Sequence, residues 1–186
     1  SVAARAGKNG LKVFNSISFL HTPAHQYAYV TRVLGYKCGR EGKTTGLAAC
    51  GDASRTIDIF RSRLGYRSDL RRFDDKGFYI QPEIAWLRQK LQDFSPADIA
   101  AGVQTNLEEV AVPWVKDMVA DCGLPTPLPV CLAGGVFANV KLNQRIAELP
   151  EVSEVFVHPG MGDGGLTVGS ALAAQFEREK IAPKFF

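Results

Sequence analysis

An α/β fold is predicted by three features of the sequence. Between residues 128 and 180 two strand-like runs, VCLA and SEVFVHP, alternate with two helical runs, each strand meeting its helix across a glycine loop. Strand–helix–strand–helix order with short loops makes those two strands parallel. Upstream, Thr22-Pro23 and Ser95-Pro96 each set a capping residue before a proline, the order in which helices start. Finally, 46% of the 186 residues are apolar, enough for one buried core in one domain spanning 1–186.

Taken in order, residues 1–20 read as a β-hairpin. SVAAR and LKVFNSISF flank Gly7-Lys8-Asn9-Gly10, residues able to take the positive φ of tight hairpin turns. A helix follows Thr22 and ends near Gly35, where a left-handed residue closes the last turn. The small-residue stretch EGKTTGLAACG predicts a tight loop leading into a short, closely packed helix. Residues 54–65 should be helical and 66–82 irregular or extended. From Ser95 a long helix should run to about Cys122, closed by Gly123. Pro113 within it lacks an N–H and should kink or break it. The proline-rich connector 124–129 leads to strand VCLA, a helix over about 137–149, strand SEVFVHP, the loop 160–165 and a helix over about 166–180.

Composition excludes several classes. The apolar content rules out disorder, and no glycine or Ser/Pro period suggests a fibrous or mucin-like chain. No run reaches the roughly 18–20 apolar residues that span a bilayer, and no leader-like segment opens the sequence. A cytoplasmic protein with no membrane partner is therefore expected. Cys38, Cys50, Cys122 and Cys131 show no metal-ligand spacing and read as reduced, mostly packed thiols. The net charge is +3, yet ten Lys/Arg against four Asp/Glu lie between Arg32 and Arg72. Such a patch either meets phosphate or nucleic acid or forms a solvated face. Arg55, Arg61, Arg63, Arg67, Arg71 and Arg72 lack interleaved stacking aromatics, so a nucleic-acid partner is not expected.

Two loops carry the clearest chemistry. Gly160-Met161-Gly162-Asp163-Gly164-Gly165 follows a strand and opens a helix, so free backbone N–H groups converge on a ready anion site. It also fits G-x-G-x-x-G, but a dinucleotide unit needs a further strand ending in an acidic residue about twenty positions on. Asp163 would repel a bare pyrophosphate, and makes better sense with a divalent cation between them. A tight turn serving only geometry remains the alternative. The second loop, Gly134-Gly135-Val136-Phe137-Ala138-Asn139, again joins strand to helix; its glycines offer amides and Asn139 a side chain for a sugar or base. Both loops open at the carboxyl end of one sheet, where α/β folds bind ligands.

Other residues carry less. His21 and His25 are four apart, but His21 precedes the cap and lies off the helix face of His25, so surface or capping roles outweigh a metal pair. His158 is placed either to touch a ligand or to pack with a hydrogen bond. Glu41 and Lys43 flank Gly42 beside the Thr44-Thr45-Gly46 turn, as an exposed charge pair or as a lysine presented to phosphate. No nucleophile-elbow arrangement is present.

Three segments together resemble a known family. LGYKCGREGKTTGLAACGD, LPVCLAGGVFANVKLNQRI and VFVHPGMGDGGLTVGSALAA are similar, in the same order, to segments of the O-carbamoyltransferases of nodulation-factor and antibiotic biosynthesis. SISFLHTPAHQYAYVTRVLGYK resembles the strand and helix preceding the first of them. The likeness covers most of the chain and is weakest at 55–125. KTTGLAACG departs from the family's usual Met and Tyr, and His21-Thr22-Pro23-Ala24-His25 aligns with a PHSLG-type segment rather than the family's metal-binding histidines.

The resemblance implies part of an actin-like ATPase (ribonuclease H-like) domain, a mixed sheet flanked by helices. It implies carbamoyl transfer from carbamoyl phosphate to the hydroxyl of a small molecule through carbamoyl-adenylate, with ATP and a divalent metal, iron or magnesium. Gly134, Gly135, Val136 and Asn139 would contact the nucleotide, Lys43 would lie near it, and Asp163 would ligate the metal. It also implies an internal fragment, without the N-terminal metal-motif part and the C-terminal carbamoyl-phosphate domain, and inactive alone. A non-catalytic ATP-binding module of the same fold is the alternative, and self-association is left open.

Overall fold

The computed structural model describes residues 1–7, 10–77 and 79–179. In chain order its elements are β1 (Val2–Gly7), β2 (Gly10–Ser16), α1 (Pro23–Val33), α2 (Glu41–Ala48), α3 (Ile57–Arg61), β3 (Leu64–Arg67), β4 (Arg72–Asp75), α4 (Gln81–Leu91), α5 (Pro96–Asp121), β5 (Leu128–Leu132), α6 (Val140–Ala147), β6 (Val152–Val157) and α7 (Gly165–Glu179). Short 3-10 turns at Phe19–His21, Ala53–Arg55, Ser68–Leu70 and Gly135–Ala138 link them.

The caps act as their residue types require. The Thr22 hydroxyl accepts from the Ala24 amide at the start of α1, and the Ser95 hydroxyl accepts from the Asp98 amide at the start of α5. Gly35 and Gly123 follow α1 and α5 with φ of 84° and 70°, closing each helix in the left-handed region. The first turn of α5 is clamped further. Asp98 accepts from the Asp52 amide at 2.9 Å and from the Arg55 guanidinium at 2.8 Å, while the Thr56 hydroxyl donates to its carbonyl.

Helix α5, 26 residues long, is the spine of the molecule. It packs against α1, α2, α3, β3 and α6, so its buried residues occupy more than one face. Val103, Leu107, Val110, Ala111, Val115 and Val119 are all buried; the larger of these side chains contribute roughly 1.5–3 kcal/mol each when fully removed from water. Two glycines permit close approach. A Cβ on Gly51 would strike the Ala97 carbonyl, and one on Gly102 would strike the Thr56 hydroxyl and the Phe60 ring.

Several expectations are corrected. Helix α5 continues unbroken past Pro113: Val110, Ala111, Trp114 and Val115 are buried around it, and their packing outweighs one lost backbone bond. Glu41, Gly42, Lys43, Thr44, Thr45 and Gly46 form helix α2 rather than a loop and turn. Thr44 is fully buried, its hydroxyl 2.9 Å from that of Thr31. Within 54–65 only Ile57–Arg61 is α-helical; over 66–82 the extended expectation holds where β3 pairs antiparallel with β4. Helix α4 lies outside the expected elements, although Pro82 near its start and buried Ile84, Leu87 and Leu91 at helical spacing signal it. Cys38, Cys50 and Cys131 are exposed and Cys122 is half-buried, so the thiols are not mostly packed; they lie on a turn, a helix end and the outer face of β5.

The strands do not form one mixed sheet among the described residues. They make three separate two-stranded sheets: antiparallel β1–β2, antiparallel β3–β4 and parallel β5–β6. In the β5–β6 pair Val130 stands opposite Val155 and Leu132 opposite Val157, the side that packs inward, while Cys131 and Phe156 share the outer face. No helix among the described residues is long and apolar enough to cross a membrane.

The Gly102 crossing yields a stability test. Alanine in place of glycine favours a helix interior by about 1 kcal/mol, whereas forcing a methyl into a packed crossing costs about 1–3 kcal/mol. The contacts here are too close to relax cheaply. Gly102→Ala is therefore expected to lower the urea midpoint; an unchanged or raised midpoint would show that α3 shifts freely.

Candidate functional site

The parallel pairing of β5 and β6, with Leu132 opposite Val157, brings both glycine loops out of the same sheet edge. One bond ties them: the Gly134 amide donates to the Met161 carbonyl at 2.6 Å. Gly134 has φ of 110° and ψ of 152°, a conformation essentially closed to residues with a Cβ. The two turns thus lie side by side at one mouth.

In the first turn, Gly135 is exposed and opens the 3-10 turn. The amides of Gly135 and Val136 find no acceptor among the described residues. Gly134 is different, because its amide is engaged in the tie to Met161. In the second turn Gly165 approaches Gly160 so closely that a Cβ would overlap the Gly160 carbonyl. His158 braces this turn from below: its Nδ1 accepts from the Gly160 amide at 3.0 Å, which makes it a packed, hydrogen-bonded histidine. The amides of Gly162, Asp163 and Gly164 have no acceptor among the described residues, and the Asp163 carbonyl accepts from Leu166. Asp163 is exposed, on the same turn as three of the five unengaged amides.

Asn139 sits beneath the mouth. It is 6% exposed and caps α6, its Oδ1 accepting from the Leu142 amide at 3.0 Å. That oxygen also accepts from Gln104 Nε2 at 3.2 Å, and Asn139 Nδ2 donates to Gln104 Oε1 at 2.7 Å and to Thr45 Oγ1 at 3.4 Å. Tyr27 completes the group: its hydroxyl donates to Gln104 Oε1 at 2.9 Å and lies 2.8 Å from Thr45 Oγ1. Burial pushes the Tyr27 hydroxyl up to about 12. Asn139 is thus taken up as a cap and as one node of a buried network joining α1, α2, α5 and α6. Tyr27, Thr45 and Gln104 escaped the sequence reading, since no local pattern marks residues that meet from three separate helices.

The remaining candidates make other contacts. Lys43 is exposed on α2 with its ammonium 5.5 Å from the centre of the Tyr36 ring, and Glu41 accepts from the Gly39 amide rather than pairing with Lys43. The arginine-rich stretch is an ion-paired face. Arg55 holds Asp98, Arg61 holds Asp58 and Glu109, Arg63 holds Glu83, Arg67 holds Asp69, and Arg71 holds Asp117 and Asp121. As for a metal, the described residues bring no three His, Cys, Asp or Glu side chains into one coordinating group. Asp163 offers one ligand to a cation, not a complete set.

The family model of the carbamoyltransferase N-terminus matches residues 5–172. The chain belongs to that family. Among curated relatives, the uncharacterized protein MJ1051 of Methanocaldococcus jannaschii is 29% identical over the whole of this chain and 36% of its own length. Nodulation protein NolO of Bradyrhizobium diazoefficiens is 30% identical over 85% of this chain and 29% of its own length. Nodulation protein NolNO of Sinorhizobium fredii is 29% identical over 85% of this chain and 23% of its own length. The chain therefore spans about a quarter to a third of the length of these relatives, and the carbamoyltransferase N-terminus match takes in both glycine turns.

Two measurements probe the network beneath the mouth. Asn139→Ala removes a helix cap and the two bonds Gln104 exchanges with Asn139, a combined loss of about 1–3 kcal/mol; denaturant unfolding should show it, and a loss within ±0.5 kcal/mol, as at an ordinary surface site, would contradict the network. For Tyr27, a folded-state pKa above its unfolded value of 10.0 gives stability fully present below pH 10 and lost as pH rises towards about 12. Tyr29 and Tyr66 are raised as well, so the parent should lose stability on this limb and Tyr27→Phe should lose less.

Proposed function

We propose that this chain forms the nucleotide-facing half of an enzyme that transfers a carbamoyl group from carbamoyl phosphate to a hydroxyl of a small molecule, through carbamoyl-adenylate. The observation that carries this reading is the tie between Gly134 and Met161, which gathers two glycine turns and their unengaged amides at one mouth. Membership of the carbamoyltransferase N-terminus family supports the reaction class.

The geometry supports the following roles. Backbone amides of Gly135, Val136, Gly162, Asp163 and Gly164 would hold anionic oxygens of ATP, since open glycine amides let a phosphate approach without a side chain in the way. Because the donors are backbone groups fixed by two turns, they need no rearrangement as charge shifts during adenylation. Gly134 and Asn139 would act by holding the turns, their own polar atoms being engaged. The Asp163 carboxylate would furnish one ligand to a divalent ion, iron or magnesium, whose chemistry when bound is to neutralise polyphosphate charge. The other ligands would come from outside this set of residues. Lys43 would act on the nucleotide only by leaving the Tyr36 ring.

Titration of the chain with ATP, followed by amide NMR, tests the reading directly. Shifts should concentrate on Gly135, Val136 and Gly162–Gly164. Gly135→Val places a branched side chain in open space, so it should weaken binding about tenfold or more with little change in the unfolding midpoint. In the whole protein that carries this chain, Asp163→Asn should lower carbamoyl transfer by about 10²-fold. If ATP leaves the two turns untouched and shifts residues elsewhere, the nucleotide assignment is wrong.

A further inference from the structure

A second constellation lies away from the glycine turns. A cavity of about 200 Å³ opens between the start of α1, the end of β4 and the residues before α4. His25 stands in its wall, stacked on Tyr29 with ring centres 5.9 Å apart and meeting Tyr79 edge-on at 5.5 Å. His21, Asp75 and Glu83 also line it.

The charges do not cancel there. Arg63 grips Glu83 through two bonds of 3.2 and 2.6 Å while lying 4.3 Å over the Trp86 ring, so that pair is internally balanced. Lys76 is turned to Asp74. Asp75 accepts the Gly77 amide at 2.7 Å, and no described Lys or Arg forms an ion pair with it. Burial, with the charge of Glu83 adding to it, raises the Asp75 carboxyl, and burial lowers the His25 imidazole. The cavity thus sets the half-buried Asp75 side chain beside the His25 imidazole and two tyrosine rings. A carboxylate in that position is costly without a counterion. The backbone is strained at the same place: Ile80, a β-branched residue, has φ of 60° and ψ of −111°, with its amide donating to the Tyr29 hydroxyl at 3.1 Å.

We propose that this cavity binds a small organic ammonium, its N–H groups on the Asp75 carboxylate and its carbon skeleton against Tyr29, Tyr79 and His25. A carboxylate flanked by electron-rich rings is the arrangement that recognises such cations. A bare metal ion fits less well, because the described histidines and carboxylates do not converge as a coordinating group. The site is independent of the nucleotide reading.

The test compares cyclohexylammonium with cyclohexanol, which has nearly the same shape and no charge, by NMR titration of the chain near neutral pH. The ammonium should give saturable shifts of the His25 and Tyr79 ring signals, and the alcohol should bind about tenfold more weakly or less. Asp75→Asn keeps the oxygen that accepts the Gly77 amide but removes the charge, and should weaken ammonium binding about tenfold or more at an unchanged unfolding midpoint. Equal binding of the alcohol, full binding by a folded Asp75→Asn, or no saturable shift would each overturn the proposal. If the Asn variant does not fold, the ammonium–alcohol comparison decides alone.

Discussion

Helix α5 lies at the centre of the molecule, and the amide groups of Gln104 and Asn106 that it carries inward donate to neighbouring elements there. Gln104 and Asn106 are both almost fully buried, and an unpaired buried amide costs more than its hydrogen bond returns. Asn106 donates to Gln26 of α1 at 2.9 Å, and Gln26 in turn donates to the Phe60 carbonyl at the end of α3. Gln104 exchanges bonds with Asn139 and accepts from Tyr27. Each pair fixes a neighbour at one height along α5, so apolar burial, which has no direction of its own, is converted into a definite register.

That register reaches the candidate site. Asn139 begins α6 and ends the glycine turn that opens at Gly134, so the position of the turn follows from the position of Gln104 on α5. The second turn is held differently, by the Gly160–Gly165 approach and by His158 beneath it. The Gly134–Met161 bond then joins a turn anchored to the helical core with one anchored to the strand β6. Polar side chains below the mouth hold the framework, leaving the backbone amides of the two turns unengaged.

Much of the local structure was legible because it is written in single residues. Thr22, Ser95, Gly35 and Gly123 cap helices for reasons of donor geometry and φ alone, and the glycine runs after β5 and β6 mark turns wherever they occur. The errors came where packing overrode local preference. Glu41–Ala48 has a composition suited to a loop, yet burial of Thr44 and the contact with α5 make it a helix. Of the kink or break expected at Pro113, the break does not occur, because the buried residues on either side carry α5 through it.

The sequence alone determined which atoms are available: glycine amides free of side chains, the Asp163 carboxylate, and the order strand, turn, helix that makes β5 and β6 parallel. It also carried the motif order that marks the family. Only the tertiary structure decided which of those atoms are engaged and which remain open. It assigned Gly134 to the bond with Met161 and Asn139 to the network, turned Lys43 towards Tyr36, and gathered His25 and Asp75 around one cavity. The reason is that a hydrogen-bonding group's role depends on what lies within about 3 Å of it. In a folded chain that neighbour is commonly dozens of residues away in sequence.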